Sequence, residues 1–176
     1  MMNLLPLEDV VRLLNLQPLV GEGGLWRQTF ISPETLDVSV LPGRSTSRPM
    51  GSAIHFLLTP QTFSCMHRLE SDEIWYFHMG ASVEMLLLYP DGTASVEVLG
   101  HDLANGQKLQ VVVPKGTWMG AQLHEDGEYG LLSTSMAPGY ADCEFEPGSY
   151  DQLLPLVADE QQEKMLRRLT GEPRYE

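Results

Sequence analysis

A series of short extended runs between Ala53 and Met136 constrains the fold of this 176-residue chain more than any other feature. Seven runs of strand character follow one another with turn residues between them: AIHFLL, EIWYFHM, SVEMLLLY, ASVEVLG, KLQVVV, WMGAQL and YGLLSTSM. Two connections, PDGT and ANGQ, contain the Asp-Gly and Asn-Gly pairs that favour tight β-hairpin turns. No segment with helical periodicity interrupts the series, so the sequence predicts an all-β sandwich or barrel rather than an α/β fold.

Helical periodicity appears only at the two ends of the chain. From Leu7 to Leu16 the apolar residues recur at helical spacing, with acidic residues in the first turn where the helix dipole favours them. The run DQLLPLVADEQQEKMLRRL has the same periodicity, and Pro155 divides it. We therefore expect one domain over residues 1–176, with a barrel core over about 20–146 and a C-terminal helical segment over about 149–170.

The charge balance argues against a nucleic-acid partner. The chain has 24 acidic and 11 basic residues, a formal net charge of -13, which repels a phosphate backbone. A small anionic ligand remains compatible with this charge, because a local group of arginines can outweigh a distant acidic surface. We find no leader peptide, no membrane-spanning apolar run and no metal-binding cysteine spacing, so the expectation is a cytoplasmic protein without a membrane partner.

The stretch MHRLESDEIWYFHMG, from Met66 to Gly80, concentrates the groups capable of chemistry. His67 and Glu73 flank a polar turn, and such a pair could bind a divalent metal or transfer a proton. Strand alternation places Glu73, Trp75 and Phe77 on one face and Ile74, Tyr76 and His78 on the other. Both faces are partly apolar, so periodicity alone leaves open which face is inside.

Five ordered stretches carry a resemblance to a known family: EGGLWRQTF, HRLESDEIW, YPDG, VVPKGTW and MAPGYADCEFE. They resemble the cupin superfamily, and within it the subfamily once catalogued as a domain of unknown function, which includes a yeast cupin of unassigned role. The resemblance covers about Leu13 to Glu146. It implies a jelly-roll barrel, the cupin double-stranded β-helix, with short N- and C-terminal helices.

The resemblance also identifies the positions of the cupin metal cage, which has three histidines and one glutamate. His67 matches the first histidine, Glu73 the glutamate and Gly80 the closing glycine, while Pro114 and Gly116 match the second motif. Leu69 and Met119 occupy the positions of the other two histidines. Two ligands are too few for a typical iron or zinc centre, so we expect no metal cofactor. An alternative metal set combines His67 and Glu73 with His55 and His78.

Several further side chains are candidates for binding a ligand in the barrel. Four aromatic residues could form a pocket for a planar or sugar-like molecule: Trp75, Phe77, Trp118 and Tyr129. Four arginines are candidates for contact with an anionic group: Arg27, Arg44, Arg48 and Arg68. His55, His78 and Met119 are candidates to line the same pocket. Glu22, which precedes two glycines, could place a carboxylate at the barrel mouth or simply form a turn.

Three functions follow as hypotheses. The first is a metal-independent cupin that binds a small polar or anionic molecule, sugar- or nucleotide-like, and isomerises or epimerises it. His67 would act as the base, with Glu73 or Tyr76 as its partner. Dehydrorhamnose-type sugar-nucleotide epimerases are similar in fold. The second is a metal-dependent dioxygenase or isomerase. The third is a non-catalytic ligand-binding or structural cupin, in which His67 and Glu73 are a satisfied polar pair. The resemblance also implies a homodimer, with a strand around Trp26 to Phe30 completing the partner's barrel edge.

Overall fold

The computed structural model describes residues 4–41, 43–124, 127–173 and 175. Two β-sheets face each other across the core, and one helix packs on the outer face of each sheet. The space between the two sheets is called the barrel interior below. The mostly β architecture with short helices at both ends confirms the predicted fold class.

The first sheet has six strands in the order β1-β2-β5-β12-β7-β10. Its members are β1 (Gln17–Pro18), β2 (Leu25–Ile31), β5 (Ser52–Leu58), β7 (Glu73–Gly80), β10 (Gln110–Val113) and β12 (Gly130–Met136). A two-stranded ribbon of β3 (Thr35–Leu36) and β4 (Arg48–Pro49) lies between β2 and β5 in the chain. All pairings in the six-stranded sheet are antiparallel.

The second sheet has five strands in the order β13-β6-β11-β8-β9, also antiparallel throughout. Its members are β6 (Ser64–Arg68), β8 (Val83–Leu88), β9 (Ala94–Leu99), β11 (Trp118–Leu123) and β13 (Glu146–Pro147). Helices complete the fold: α1 (Leu7–Leu14), α2 (Tyr150–Leu153), α3 (Glu160–Leu169) and 3-10 turns at Val38–Val40, Leu103–Asn105, Asp142–Glu144 and Leu154–Leu156.

Strand alternation divides the apolar residues into three clusters. The central cluster lies between the two sheets and includes Phe56, Trp75, Met85, Met119 and Leu132. The opposite faces of the same strands form the two outer clusters, which the terminal helices cover. A strand that is apolar on both faces, such as β8, therefore belongs to a sheet that is buried on both sides.

Each of the two terminal helices has a capping residue at one end and apolar residues that pack on a sheet. In α3 the Asp159 carboxylate accepts a hydrogen bond from the Gln162 backbone amide at 2.8 Å, and Met165, Leu166 and Leu169 pack on the five-stranded sheet. In α1 the chain ends the helix at Asn15, which adopts a left-handed conformation with φ of 53°. No helix among the described residues is both long and apolar enough to span a bilayer.

The two predicted hairpin turns have different outcomes. The Asp91-Gly92 pair joins β8 to β9, which pair directly, and the Asp91 carboxylate accepts a hydrogen bond from the Thr93 amide at 2.9 Å. The Asn105-Gly106 pair does not close a hairpin, because β9 and β10 belong to different sheets. It ends a 3-10 turn where the chain crosses from one sheet to the other.

Candidate functional site

Three titratable side chains form a polar group in an otherwise largely apolar barrel interior: Glu22, His67 and Glu73. We call them the inner polar cluster. His67 is 1% exposed and Glu73 is 7% exposed. Charge interactions link Glu73 to both of the others. Burying three ionisable groups costs free energy unless the groups have hydrogen-bond partners or change their protonation. The partners of each group therefore help to set its protonation state.

A β-bulge in β6 places His67 in the interior. Met119 of β11 pairs with His67, and Ala121 pairs with Ser64, so two steps along β11 match three along β6. The extra residue lets Ser64 and His67 both face inward, although they are three positions apart. Met66, between them, faces outward and packs beneath α3.

Glu73 opens β7 on its inner face. The Trp75 indole N–H donates to its Oε2 at 2.8 Å, and the Thr134 hydroxyl also contacts the carboxyl group. Burial raises the pKa of Glu73 to about 7, and the charge of Glu22 acts in the same direction. His67 and the two hydrogen bonds oppose this increase, so the carboxyl titrates near neutral pH.

His67 is held by its backbone neighbourhood. Its Nδ1 lies 2.8 Å from the carbonyl oxygen of Cys65, and because a carbonyl only accepts, we assign the ring proton to Nδ1. Phe145 stacks against the imidazole with ring centroids 5.0 Å apart. Burial lowers the pKa of His67, against the opposing effects of the Cys65 carbonyl and Glu73. The ring is thus neutral near pH 7, with Nε2 as its proton acceptor.

Glu22 reaches the cluster from the segment between β1 and β2. Its backbone carbonyl accepts from the Cys65 amide at 2.7 Å, and its Oε1 accepts from the Ser64 hydroxyl at 3.3 Å. The residue as a whole is half-buried, but its carboxyl group is strongly desolvated, which raises its pKa to about 7. Gly23 follows with φ of 106°, and a side chain there would overlap the Phe63 carbonyl, so glycine is required for this turn.

Tyr140 is 37% exposed and interacts with Glu22 through charge, a contribution that sequence reasoning missed. Burial, then the charges of Glu22, Asp142 and Glu144, raise its pKa to about 12. It therefore stays protonated and can donate a hydrogen bond at physiological pH. The stretch MAPGYADCEFE contained this tyrosine, but only as a family motif, and nothing in its spacing associates it with Glu22.

The inner polar cluster combines a proton acceptor with proton donors at neutral pH. A neutral imidazole can accept a proton at Nε2, while two carboxyl groups with pKa values of about 7 are each partly protonated. General acid–base catalysis is most effective when the pKa of the group lies near the working pH. Strongly shifted, desolvated groups of this kind are more frequent at functional sites than elsewhere, although structural networks also produce them.

Tyr76, His55 and His78, which the sequence suggested as site residues, lie on the outer face of the six-stranded sheet. Tyr76 is on the outer face of β7, where its hydroxyl lies 3.1 Å from the Ser135 hydroxyl, so it cannot act with His67 and Glu73. His55 Nδ1 and His78 Nε2 lie 3.0 and 2.6 Å from the Ser133 hydroxyl on the same outer face. The alternative metal set of His67, Glu73, His55 and His78 is therefore divided between two faces of one sheet.

The four aromatic candidates do not form a single pocket. Trp75 and Phe77 belong to the barrel interior. Trp118 lies in the cluster beneath α3, where the Arg68 guanidinium stacks 4.6 Å from its ring centroid. Tyr129 lies in the α1 cluster and donates to the Leu5 carbonyl at 3.0 Å. Only half of the predicted aromatic pocket faces the inner polar cluster.

The arginine candidates bind elsewhere in the fold. Arg27 donates to the Leu14 carbonyl at 3.3 Å on the outer side of the six-stranded sheet. Arg68 forms a forked pair with Glu146, at 2.6 and 2.9 Å. Two others, Arg44 and Arg48, form ion pairs with the buried Glu144. These contacts are with protein groups outside the inner polar cluster, so an anionic ligand in the barrel would need other donors.

The interior residues do not fit the metal cage of three histidines and one glutamate. Leu69 and Met119, at the two substituted positions, are buried in the central apolar cluster, and Met119 pairs with His67 across the sheet. In the described part of the chain, no group of three or more His, Cys, Asp or Glu residues converges in a way that could hold a metal ion. A thioether is a soft ligand and an aliphatic side chain is none, so Met119 and Leu69 do not complete an iron or zinc cage.

Comparisons with known proteins agree with this architecture. The model of the family described as "Cupin superfamily (DUF985)" matches residues 8–147. An uncharacterized protein of Saccharomyces cerevisiae, YML079W, is 30% identical over 150 residues, which cover 79% of this chain and 74% of the yeast protein.

Two solved structures place the chain among proteins of similar fold. The crystal structure of protein SO0799 from Shewanella oneidensis is 33% identical, with a TM-score of 0.81 over 97% of this chain and 100% of that one. A cupin 2 conserved barrel domain protein from Rhodopseudomonas palustris is 14% identical, with a TM-score of 0.56 over 85% of each chain, a likeness of fold alone.

Proposed function

The chain belongs to the DUF985 family of the cupin superfamily, and from this premise we propose that its barrel binds a small polar, sugar-like molecule and moves a proton on it without a metal. The observation that supports the proposal is the desolvated Glu73, with a pKa of about 7, in electrostatic contact with a buried neutral His67. Trp75 and Phe77 supply apolar walls beside these groups.

The substrate class that suits this set is an α-hydroxy ketone or aldehyde. His67 Nε2 removes a proton from the carbon between the hydroxyl and carbonyl groups, and the C–H electron pair forms the carbon–carbon double bond of an enediol. Protonated Glu73 gives its proton to the carbonyl oxygen, whose π electrons form the new O–H bond. Return of the proton to the former carbonyl carbon isomerises the sugar, because the original hydroxyl then gives its proton to the Glu73 carboxylate and becomes the new carbonyl. Return of the proton to the opposite face of the original carbon epimerises it, and the enediol hydroxyl formed in the first step gives its proton back to Glu73.

Glu22 and Tyr140 act as positioning groups in this scheme. The Glu22 carboxyl accepts from the Ser64 hydroxyl through Oε1, and a carboxylate has further lone pairs with which to accept hydrogen bonds from substrate hydroxyls. The Tyr140 phenol remains a donor because its pKa is raised to about 12. The hydrogen bond from the Trp75 indole fixes the Glu73 carboxyl group, and neither Glu22 nor Tyr140 has this contact. We therefore assign Glu22 and Tyr140 to binding.

The test is solvent exchange in D2O. The full-length protein is incubated with dihydroxyacetone, D-fructose and D-xylulose, and deuterium incorporation next to the carbonyl is followed by NMR. We expect incorporation in at least one compound and a loss of about 100-fold or more in His67→Asn, since removal of a general base costs about 10²–10⁴-fold.

The matched control is His78→Asn, which makes the same replacement on the outer face of the sheet and should leave the rate within about twofold. Equal incorporation by His67→Asn and the unaltered protein would exclude the proton-transfer role. Binding without any incorporation would instead favour a non-catalytic ligand-binding cupin.

We also propose that two copies associate through the edge of β2. β1 pairs with β2 only at Leu25 and Trp26, and beyond Trp26 no described strand lies on that edge. Phe30 and Ile31 are about half exposed there, at 52% and 49%. An unpaired strand edge with apolar side chains is a template for pairing with a second copy. Light scattering should give the dimer mass for the unaltered protein and a monomer for Phe30→Lys; a monomer in both would refute the pairing.

A further inference from the structure

A buried carboxylate outside the inner polar cluster holds three segments of the chain together. Glu144 is 2% exposed, and its partner Arg48 is 1% exposed. Three donors converge on Oε1 of this carboxylate: Arg48 Nε at 2.9 Å, the Ser71 hydroxyl at 3.0 Å, and Arg44 Nη1. Charged hydrogen bonds of this kind are strong and directional. Glu144 therefore ties the stretch from β3 to β4, and the turn between β6 and β7, to its own segment.

The turn between β6 and β7 joins the two reactive groups of the barrel. His67 lies in β6 and Glu73 opens β7, so this turn helps to set the position of one group relative to the other. Ser71, within the turn, is 3% exposed and donates to Glu144. Arg44 donates to the Ser71 hydroxyl at 3.0 Å, which strengthens the same support. Loss of the Glu144 charge would leave the turn without its main partner.

The segment of Glu144 itself carries the ring that covers His67. Phe145 follows Glu144 directly, and its ring lies nearly parallel to the imidazole, with centroids 5.0 Å apart and an angle of 24° between the planes. Two residues later, Pro147 of β13 pairs with His67 of β6. Because Phe145 is the next residue in the chain, a displacement of Glu144 also displaces the ring.

Two contacts hold the imidazole in one orientation. The Cys65 carbonyl binds its Nδ1 at 2.8 Å, and Phe145 lies against its face. Together they keep Nε2, the proton acceptor of the proposed reaction, in one place. A displacement of about 1 Å at a reacting group can cost about 10²-fold in rate, so the support of the Phe145 ring bears on the chemistry.

We propose that Glu144 is a positioning residue for the inner polar cluster. Through Ser71 it fixes the turn that leads to Glu73. Through Phe145 it fixes the orientation of the His67 ring. In the described part of the chain its carboxylate bonds to no member of the cluster, so it acts through these neighbours. The effect on rate rests on the proposed function, whereas the effect on the His67 ring does not.

The experiment compares Glu144→Gln with Glu146→Gln in the full chain labelled with 13C at the histidine Cε1 position. Glu146→Gln is the matched control, because it makes the same change in an ion pair with Arg68 that is nearly half exposed. The His67 signal is identified by its loss in His67→Asn. We expect Glu144→Gln to shift this signal, because the ring current of Phe145 acts only over a short range. Glu146→Gln should leave the signal in place.

The D2O assay gives the second readout. Glu144→Gln should lower kcat by about tenfold or more and change KM by less than about twofold, since a displaced base affects the chemical step rather than binding. Glu146→Gln should leave both values within about twofold. If Glu144→Gln does not fold, Ser71→Ala takes its place, because it removes one donor and keeps both ion pairs. It should shift the His67 signal and lower kcat by about threefold.

Two results would overturn the proposal. One is an unchanged His67 signal in both Glu144→Gln and Ser71→Ala, and the other is an equal shift in Glu144→Gln and Glu146→Gln. Either would mean that Glu144 only stabilises the fold. If the unaltered protein exchanges no deuterium, the proposed function fails, and the His67 signal alone decides the positioning role.

Discussion

The inner and outer faces of the six-stranded sheet carry similar polar chemistry under opposite conditions. On the inner face, Glu73 is closed off from water and its pKa is raised to about 7. On the outer face, His55 and His78 share the Ser133 hydroxyl, and Tyr76 pairs with Ser135. The inner group is held in an environment that disfavours its charge, whereas the outer groups are paired with serines and partly open to solvent.

This difference shows why residue type alone does not identify the site. Trp75 and Tyr76 are consecutive residues of β7, yet Trp75 donates to Glu73 and Tyr76 contacts a serine on the other side of the sheet. Proton-transfer chemistry at neutral pH requires desolvation as well as a titratable group. The inner face provides both, and the comparison can be tested by changing one face at a time.

The largest expected effect is a pH-dependent stabilisation by Glu73→Gln. Because the folded-state pKa of Glu73 is about 7 and its ordinary value is 4.5, the unaltered protein loses stability as pH rises between these values. The glutamine variant avoids this loss, so it should be more stable than the unaltered protein by about 3 kcal/mol at pH 8 and by only about 1 kcal/mol at pH 5. Urea unfolding at the two pH values measures this, and a difference that does not change with pH would contradict the inner-face assignment.

The next effect is expected from the indole that faces Glu73. Trp75→Phe removes the N–H that donates to a buried carboxylate, and the same replacement at Trp118 removes an indole beneath α3 that contacts Arg68. The two variants lose similar volume, so a larger cost at Trp75 reports the hydrogen bond to Glu73 in excess of the contact between Trp118 and Arg68. Trp75→Phe should cost about 2 kcal/mol more than Trp118→Phe at pH 8, measured by urea unfolding. Equal costs would mean that the indole N–H contributes little to holding Glu73.

A smaller effect is expected when the shared partner on the outer face is removed. Ser133→Ala deprives His55 and His78 of their common hydroxyl, but both rings are partly exposed and can bond to water instead. The unfolding free energy should fall by about 1 kcal/mol, the net value of an ordinary hydrogen bond. A loss of about 3 kcal/mol or more would show that the outer histidines are as dependent on fixed partners as the inner group.

The smallest effect is expected from Tyr76→Phe, which removes only the contact with Ser135. We expect a change in unfolding free energy within about 0.5 kcal/mol and a proton-exchange rate within about twofold of the unaltered protein. Thermal unfolding and the D2O assay provide these values. A tenfold loss of exchange would show that Tyr76 has a catalytic role despite its position on the outer face.

The sequence predicted most of the fold because the relevant signals are local. Strand alternation, Asp-Gly turn chemistry and the terminal amphipathic segments each act over a few residues. The Asn-Gly pair does form a turn, but the prediction that it closes a hairpin was wrong, because the strands that it connects belong to different sheets. The position of His67 and Glu73 followed from motif spacing. The sequence did not predict which face of β7 is inside, because Ile74 and Tyr76 are as apolar as a core-facing pair would be.

The remaining members of the site depend on distant contacts. Glu22 lies more than forty residues before Ser64, whose hydroxyl donates to it. Tyr140 comes from the segment after the last long strand. The bulge in β6 is invisible to a pattern of period two, since it adds one residue without adding a glycine or proline. Placement of such groups is a tertiary property that no short window of sequence contains.

The β6 bulge makes the site sensitive to chain length as well as to residue identity. Deleting Cys65 would leave every residue of the inner polar cluster in the sequence and still allow β6 to pair with β11. Regular alternation would then turn either Ser64 or His67 out of the barrel, because without the extra residue the two can no longer face the same way. In an evolving lineage, a single-codon deletion here could therefore abolish the site while every one of its functional side chains remained conserved.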